Sequence, residues 1–217
     1  TITYGELDAR ANQLAHTLRA AGLQRLDHYA VFMENNVSYV ETCAAGERAG
    51  LYYTCINSYL TADEVAFIVN NSESRALITS ASRRDVAIEA LKQCPNIKLA
   101  LIVGGSGDDG PFDDYEAVVR AQPTTPIADE SLGTSMLYSS GTTGQPKGIL
   151  RPLPEMAASD NLPLLVFLDN LWHYRDGMTY LSPAPLYHSA PQAAVNLAIR
   201  RSATCIIMER FDPEQYL

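Results

Sequence analysis

The stretch Tyr138-Ser139-Ser140-Gly141-Thr142-Thr143-Gly144-Gln145-Pro146-Lys147-Gly148 brings four Ser/Thr hydroxyls, three glycines and one lysine into eleven residues, directly after a short apolar run. Glycine lets backbone N–H groups converge on one point because no Cβ blocks the approach. Ser and Thr add hydroxyl donors, and Lys147 adds a full positive charge. Such a nest suits a polyphosphate better than a core. A Walker loop is excluded by spacing: it needs four residues between its glycines and then Gly-Lys-Ser/Thr. Here Gly141 and Gly144 stand two residues apart, Lys147 follows a proline, and Gly148 occupies the place of the metal-binding hydroxyl. A plain flexible surface loop is the usual reading of a Gly/Ser/Thr cluster, but rigid Pro146 and the flanking apolar runs count against it.

The stretch resembles the phosphate-binding signature of the adenylate-forming superfamily, which includes acyl-CoA synthetases, nonribosomal adenylation domains and luciferases. Every position of the pattern Tyr-(Ser/Thr)-Ser-Gly-Thr-Thr-Gly-x-Pro-Lys-Gly is filled. Ser182-Pro183-Ala184-Pro185-Leu186-Tyr187-His188-Ser189-Ala190 resembles the family's Pro-Leu-aromatic-His segment. Thr3-Tyr4-Gly5-Glu6-Leu7 with Ala11-Asn12, and Gly50-Leu51-Tyr52 through Ile56-Asn57 and Leu60-Thr61, are similar to the amino-terminal part of acyl-CoA synthetases. The similarity covers nearly the whole chain.

The resemblance implies ATP-dependent activation of a carboxylic acid as acyl-AMP, then transfer to coenzyme A. The expected acid is fatty or otherwise hydrophobic. The ATP-binding residues it implies are Ser139, Ser140, Gly141, Thr142, Thr143, Gly144 and Lys147, with Thr143 toward Mg²⁺. Lys147 and His188 are the expected catalytic positions. His188 would orient the carboxylate or a phosphate; a carboxylate ionised at neutral pH needs no general base. A lone histidine is more often structural, and His16, His28 and His173 are read so; Tyr187 and Trp172 are expected to pack. Many relatives carry Thr-His soon after the phosphate loop; Arg151-Pro152-Leu153-Pro154 stands here instead, so no role passes from that histidine. One rival reading is an adenylation domain loading an amino or aryl acid onto a carrier protein. Another is a non-catalytic nucleotide-binding module.

The elements that must position these residues alternate between apolar runs and amphipathic stretches. Strands are predicted at Ile2–Tyr4, Tyr29–Met33, Tyr52–Ile56, Ala76–Thr79, Leu99–Val103, Ser135–Tyr138, Gly148–Arg151, Thr179–Ser182 and Thr204–Met208. Helices are predicted at Glu6–Ala21, from a capping box Ser38-x-x-Glu41 to Ala49, from a second box Thr61-x-x-Glu64 to Val69, and at Arg83–Gln93, Tyr115–Ala121, Glu155–Trp172 (mainly helical, with a kink or restart at Pro163) and Ala190–Ile199. Gly104–Asp114 is expected to be a turn-rich, acidic surface loop, the best candidate in the chain for disorder. The β-α-β order implies an α/β fold with parallel strands, and both motifs fall at strand carboxyl ends, where such sheets bind ligands. The resemblance implies the layered sheets of the acyl-CoA synthetase amino-terminal domain, incomplete at the carboxyl end. Residues 27–175 would form most of one subdomain, and the remainder part of a second.

Composition agrees. The chain has 217 residues, 47% of them hydrophobic, with a formal net charge of −9. That balance excludes a general nucleic-acid surface, and no apolar run is long enough for a transmembrane segment. Cys43, Cys55, Cys94 and Cys205 lack metal-ligand spacing and are read as buried small hydrophobes in a reducing, cytoplasmic setting. Asp212 and Pro213 read as the N-cap and first residue of a helix cut short. The chain is therefore expected to be an amino-terminal fragment that is catalytically incompetent alone, lacking the ribose-binding aspartate, the hinge and the carboxyl-terminal lysine that the resemblance implies.

Overall fold

The computed structural model describes residues 1–139 and 146–216. They form two units: Thr1–Met33 with Val37–Ala158, and Glu34–Asn36 with Ser159–Leu217. The first 26 residues pack in the first unit, and the division near residue 175 expected from the sequence lies here between Ala158 and Ser159.

The first unit is built on a seven-stranded sheet. Its strands are β1 (His28–Phe32), β2 (Tyr52–Cys55), β3 (Ser74–Ser80), β4 (Leu99–Val103), β5 (Asp113–Asp114), β6 (Thr134–Ser139) and β7 (Lys147–Ile149). Their order is β5-β4-β3-β1-β2-β6-β7. All pairs are parallel except β6–β7. The parallel strands agree with the β-α-β order of the sequence, and the β6–β7 pair is an antiparallel addition at the edge. The link from Ser139 to Lys147 is shorter than the dozen or so residues a parallel crossover requires, so the chain folds back as a hairpin.

Helices cover both faces. On one side α3 (Ala62–Asn71) and α4 (Arg84–Leu91) pack on Ala30, Phe32, Leu77 and Ile102. On the other lie α1 (Tyr4–Ala20), α2 (Val37–Arg48) and α5 (Tyr115–Arg120). These three are tied by a buried charge. Glu41 accepts from Tyr115 Oη at 3.1 Å and faces Arg10 Nε at 3.5 Å. The Arg10 guanidinium also lies 5.4 Å over the Tyr115 ring. Burying Glu41 without such partners would be strongly unfavourable.

Several expected elements are corrected. Ile2–Tyr4 is not a strand: Thr3 caps α1, accepting from Glu6 N at 3.2 Å while its own N donates to Glu6 Oε2 at 2.7 Å. These capping bonds also hold the Glu6 carboxyl below its ordinary value. Ser38 and Glu41 form no cap, because α2 already begins at Val37 and Glu41 turns inward. The Thr61–Glu64 box is present, with Thr61 N donating to Glu64 Oε2 at 2.8 Å. Gly104–Asp114 folds around buried Asp109, which accepts from Ser106 N and Gly107 N at 2.8 and 3.0 Å. Of Glu155–Trp172, only α6 (Pro163–Trp172) is helical. Leu162 is extended before Pro163, as the proline ring requires, so the helix starts there. Cys55 and Cys94 are buried, but Cys43 and Cys205 are only half-buried, and the Cys43 and Cys55 sulfurs lie 3.9 Å apart.

The second unit contains α6, β8 (Thr179–Ser182), α7 (Ser189–Arg200), β9 (Thr204–Ile207) and α8 (Pro213–Tyr216). β8 and β9 are parallel. Asp212 caps α8, accepting from Glu214 N and Gln215 N at 2.9 and 3.0 Å. No residue of α6 is buried.

Two predictions test the first unit. Gly133 has no room for a Cβ, which would meet Gly46 O at 2.0 Å and Leu51 O at 2.6 Å. Because backbone cannot swing aside, Gly133→Ala is expected to cost about 3 kcal/mol, the upper end of ordinary overpacking, measured by urea unfolding. His28 stacks on Tyr52 with ring centroids 4.8 Å apart, and its buried Nδ1 has no hydrogen-bond partner. Burial lowers its pKa, against an opposing pull from Glu73 and Asp27. Between the unfolded value of about 6.5 and the lower folded one, the unfolded chain binds more protons, so stability falls as pH drops. His28→Phe is expected to flatten that part of the melting temperature–pH curve.

Candidate nucleotide site

The antiparallel hairpin brings two of the sequence-predicted residues together. Ser139 on β6 pairs with Lys147 on β7, Tyr138 with Gly148 and Leu137 with Ile149. Ser139 and Lys147 are both exposed. The hairpin thus presents one hydroxyl and one ammonium side by side, at the carboxyl end of β6. Ser140, Gly141, Thr142, Thr143 and Gly144 lie outside the described residues.

The root of the hairpin is fixed by packing. Tyr138 lies against the core under α3, and its hydroxyl donates to Asn71 Oδ1 at 2.6 Å. Burial pushes the Tyr138 phenol up to about 12. Gly148 allows the close approach: a Cβ there would sit 2.6 Å from Met136 Cε and 3.1 Å from the Tyr138 ring. Downstream, the chain is held by its backbone. Tyr52 Oη donates to Arg151 O at 2.6 Å, and Arg25 Nη2 to Leu153 O at 3.0 Å. The Arg-Pro-Leu-Pro segment is therefore anchored to the sheet without a histidine.

His188 belongs to the second unit. It is the extended N-cap residue of α7, reached through a turn in which His188 N donates to Pro185 O at 3.2 Å. The His188 imidazole is exposed and its ring centroid lies 4.5 Å from that of Tyr187. Leu186 beneath is buried. Trp172 packs only partly, with 39% of its surface exposed. Among the other histidines, His16 Nε2 meets Thr125 O at 2.9 Å and His173 closes α6 in the left-handed conformation. The sequence reading missed Asn71 and Asn35. Asn71 ends an amphipathic helix, and nothing local in the sequence says that its amide meets Tyr138.

The profile of the AMP-binding enzyme family matches residues 1–217. The chain belongs to that family. Among curated relatives, the medium/long-chain-fatty-acid–CoA/3-oxocholest-4-en-26-oate–CoA ligase of Mycolicibacterium smegmatis is 26% identical over 99% of this chain and 42% of its own length. The long-chain-fatty-acid–CoA ligase FadD13 of Mycobacterium tuberculosis is 29% identical over 97% of this chain and 40% of its own. Among solved structures, the amino-terminal domain of FACL13 from Mycobacterium tuberculosis superposes with a TM-score of 0.79 at 26% identity, covering 99% of this chain and 52% of that one. The chain thus spans about two fifths of the length of these curated relatives. The superposition also bears out the expected α/β fold of the family's amino-terminal domain.

Tyr138→Phe removes the bond to Asn71 without changing the ring. It is expected to cost about 1 kcal/mol in urea unfolding.

Proposed function

We propose that this chain is the amino-terminal, phosphate-gripping part of an ATP-dependent acyl-CoA synthetase for fatty or other hydrophobic carboxylic acids. The observation that carries the reading is the pairing of exposed Ser139 and Lys147 across a hairpin at the carboxyl end of a parallel sheet. Had that root been packed inward, no anion could reach it. The substrate class is supported by the names of the fatty-acid CoA ligases among its relatives.

In this reading a carboxylate oxygen attacks the α-phosphorus of ATP, the bond to pyrophosphate breaks, and acyl-AMP forms. The thiolate of coenzyme A then attacks the acyl carbon, and AMP leaves with the former carboxylate oxygen. Charge grows on pyrophosphate in the first step, and fixed donors stabilise it without reorganising. Lys147 supplies a positive charge there and Ser139 a hydroxyl donor. Ser140, Thr142 and Thr143, with the backbone at Gly141 and Gly144, complete the set. His188 orients the carboxylate or a phosphate oxygen.

Magnesium bound to the triphosphate would neutralise part of this charge. Among the described residues no group of three His, Cys, Asp or Glu side chains could hold a metal. In this reading the ion arrives with ATP, and Thr143 is the proposed contact from this chain. No described helix is long and apolar enough to cross a membrane; the proposed partner is a small-molecule carboxylic acid.

ATP–pyrophosphate exchange tests the reading on residues 1–217 and on a longer protein that includes them. Exchange is expected only from the longer protein. There, Lys147→Ala should lower it roughly 100- to 1,000-fold, the range for loss of one oxyanion donor. Robust exchange by residues 1–217 would refute the incompetence of the fragment, and full activity of the Lys147 variant would refute the assignment of the loop.

A further inference from the structure

We infer that Asn35 is the positioning residue of the His188 segment, an inference that rests on the functional reading above for its consequence in ligand binding. Asn35 is buried in the second unit, at 6% exposure. Its Nδ2 donates to Ala184 O at 3.0 Å and to Met208 O at 2.9 Å. Its Oδ1 accepts from Leu186 N at 2.8 Å. One carboxamide therefore grips the backbone on both sides of Pro185 and also the residue that follows β9.

The placement decides what this grip controls. Met208 N donates to Ser182 O at 3.0 Å, the last rung between the ends of β8 and β9. Beyond it the β8–β9 register ends, and the backbone groups that follow lack ladder partners. Pro185 cannot donate a backbone hydrogen bond. Asn35 substitutes for the missing rung, since a primary amide offers the same acceptor and donors as a peptide group. With Ala184 and Leu186 held, the turn from Pro185 to His188 starts from a fixed base, and His188 N closes it on Pro185 O. The next residue opens α7, so the base of the imidazole is set by Asn35 on one side and by the helix on the other. Asn35 touches no proposed reacting atom; it acts through His188.

The bond from Leu186 N is buried and the two from Asn35 Nδ2 are partly buried, so they are costly to leave unmade. Asn35→Ala strips partners from two carbonyls and one amide at once. The expected result is a His188 segment that no longer holds one conformation, while the first unit stays folded.

Histidine-labelled NMR and MgATP calorimetry on residues 1–217 test this, with His188→Ala assigning the resonance. In Asn35→Ala, the His188 imidazole shift should move toward that of free histidine, while His16 and His28 keep theirs. MgATP affinity should fall about fivefold in Asn35→Ala and in His188→Ala. The double variant should lose no more than the worse single one, as expected for residues acting through one another. An unmoved His188 resonance, or additive losses in the double variant, would overturn the inference. If the unaltered chain shows no MgATP binding, the calorimetry is read on the longer protein that includes it, where absence of binding would refute the functional reading. The His188 resonance then decides alone whether Asn35 holds the segment. Should the His173 shift also collapse, Asn35→Ser, which keeps one hydroxyl donor, is read by the same criteria.

Discussion

Parallel pairing is the constraint from which the rest follows. When β1, β2, β3 and β6 run the same way, their carboxyl ends gather on one edge of the sheet. Backbone groups there run out of ladder partners, and the chain must turn away or satisfy them otherwise. Turns rich in glycine and small polar residues belong at such an edge. The Tyr138–Gly148 stretch leaves β6 there, and the Pro185–His188 turn leaves the matching end of the β8–β9 pair. In both places chemistry-bearing side chains stand where the regular hydrogen-bond pattern stops.

The parallel sheet is itself held by features with no chemical role. Glu41, Arg10 and Tyr115 join three helices on one face through a buried charge that has found its partners. On the other face the seal is apolar, with Phe32, Ile102 and Leu77 against α3 and α4. An α/β layer of this kind tolerates a polar spur on one side because the opposite side supplies dry area.

Much of this was legible in the sequence, for physical reasons that can be named. β1, β2, β3, β4 and β6 appear as short apolar runs, and α1 and α7 as 3.6-residue stripes, because each buries a face. The phosphate motif can be proposed from sequence at all because its chemistry would be local: all its donors lie within eleven residues. What escaped was non-local or depended on competition. Glu41 looked like a cap because its spacing from Ser38 is right, yet the helix starts one residue before Ser38 and the carboxylate serves Arg10 instead. Ile2–Tyr4 looked like a strand because nothing in its apolar content reveals that Thr3 and Glu6 will close a capping box. Asn35 meets Leu186 across 151 positions of sequence, a distance at which no pattern operates.

The contact at Gly133 has a mechanical corollary. There the strand entering β6 lies backbone against backbone on Gly46 and Leu51, with no side chain between to act as a cushion. Sliding β6 along β2 would drive main chain into main chain, so that rail is locked. Its neighbour β7 is short, lies at the border of the sheet and is bonded on one side only. Of the two arms that carry Ser139 and Lys147, the lysine arm is therefore the one held by fewer ladder bonds, and its position rests on the packing of Gly148 and the anchors downstream.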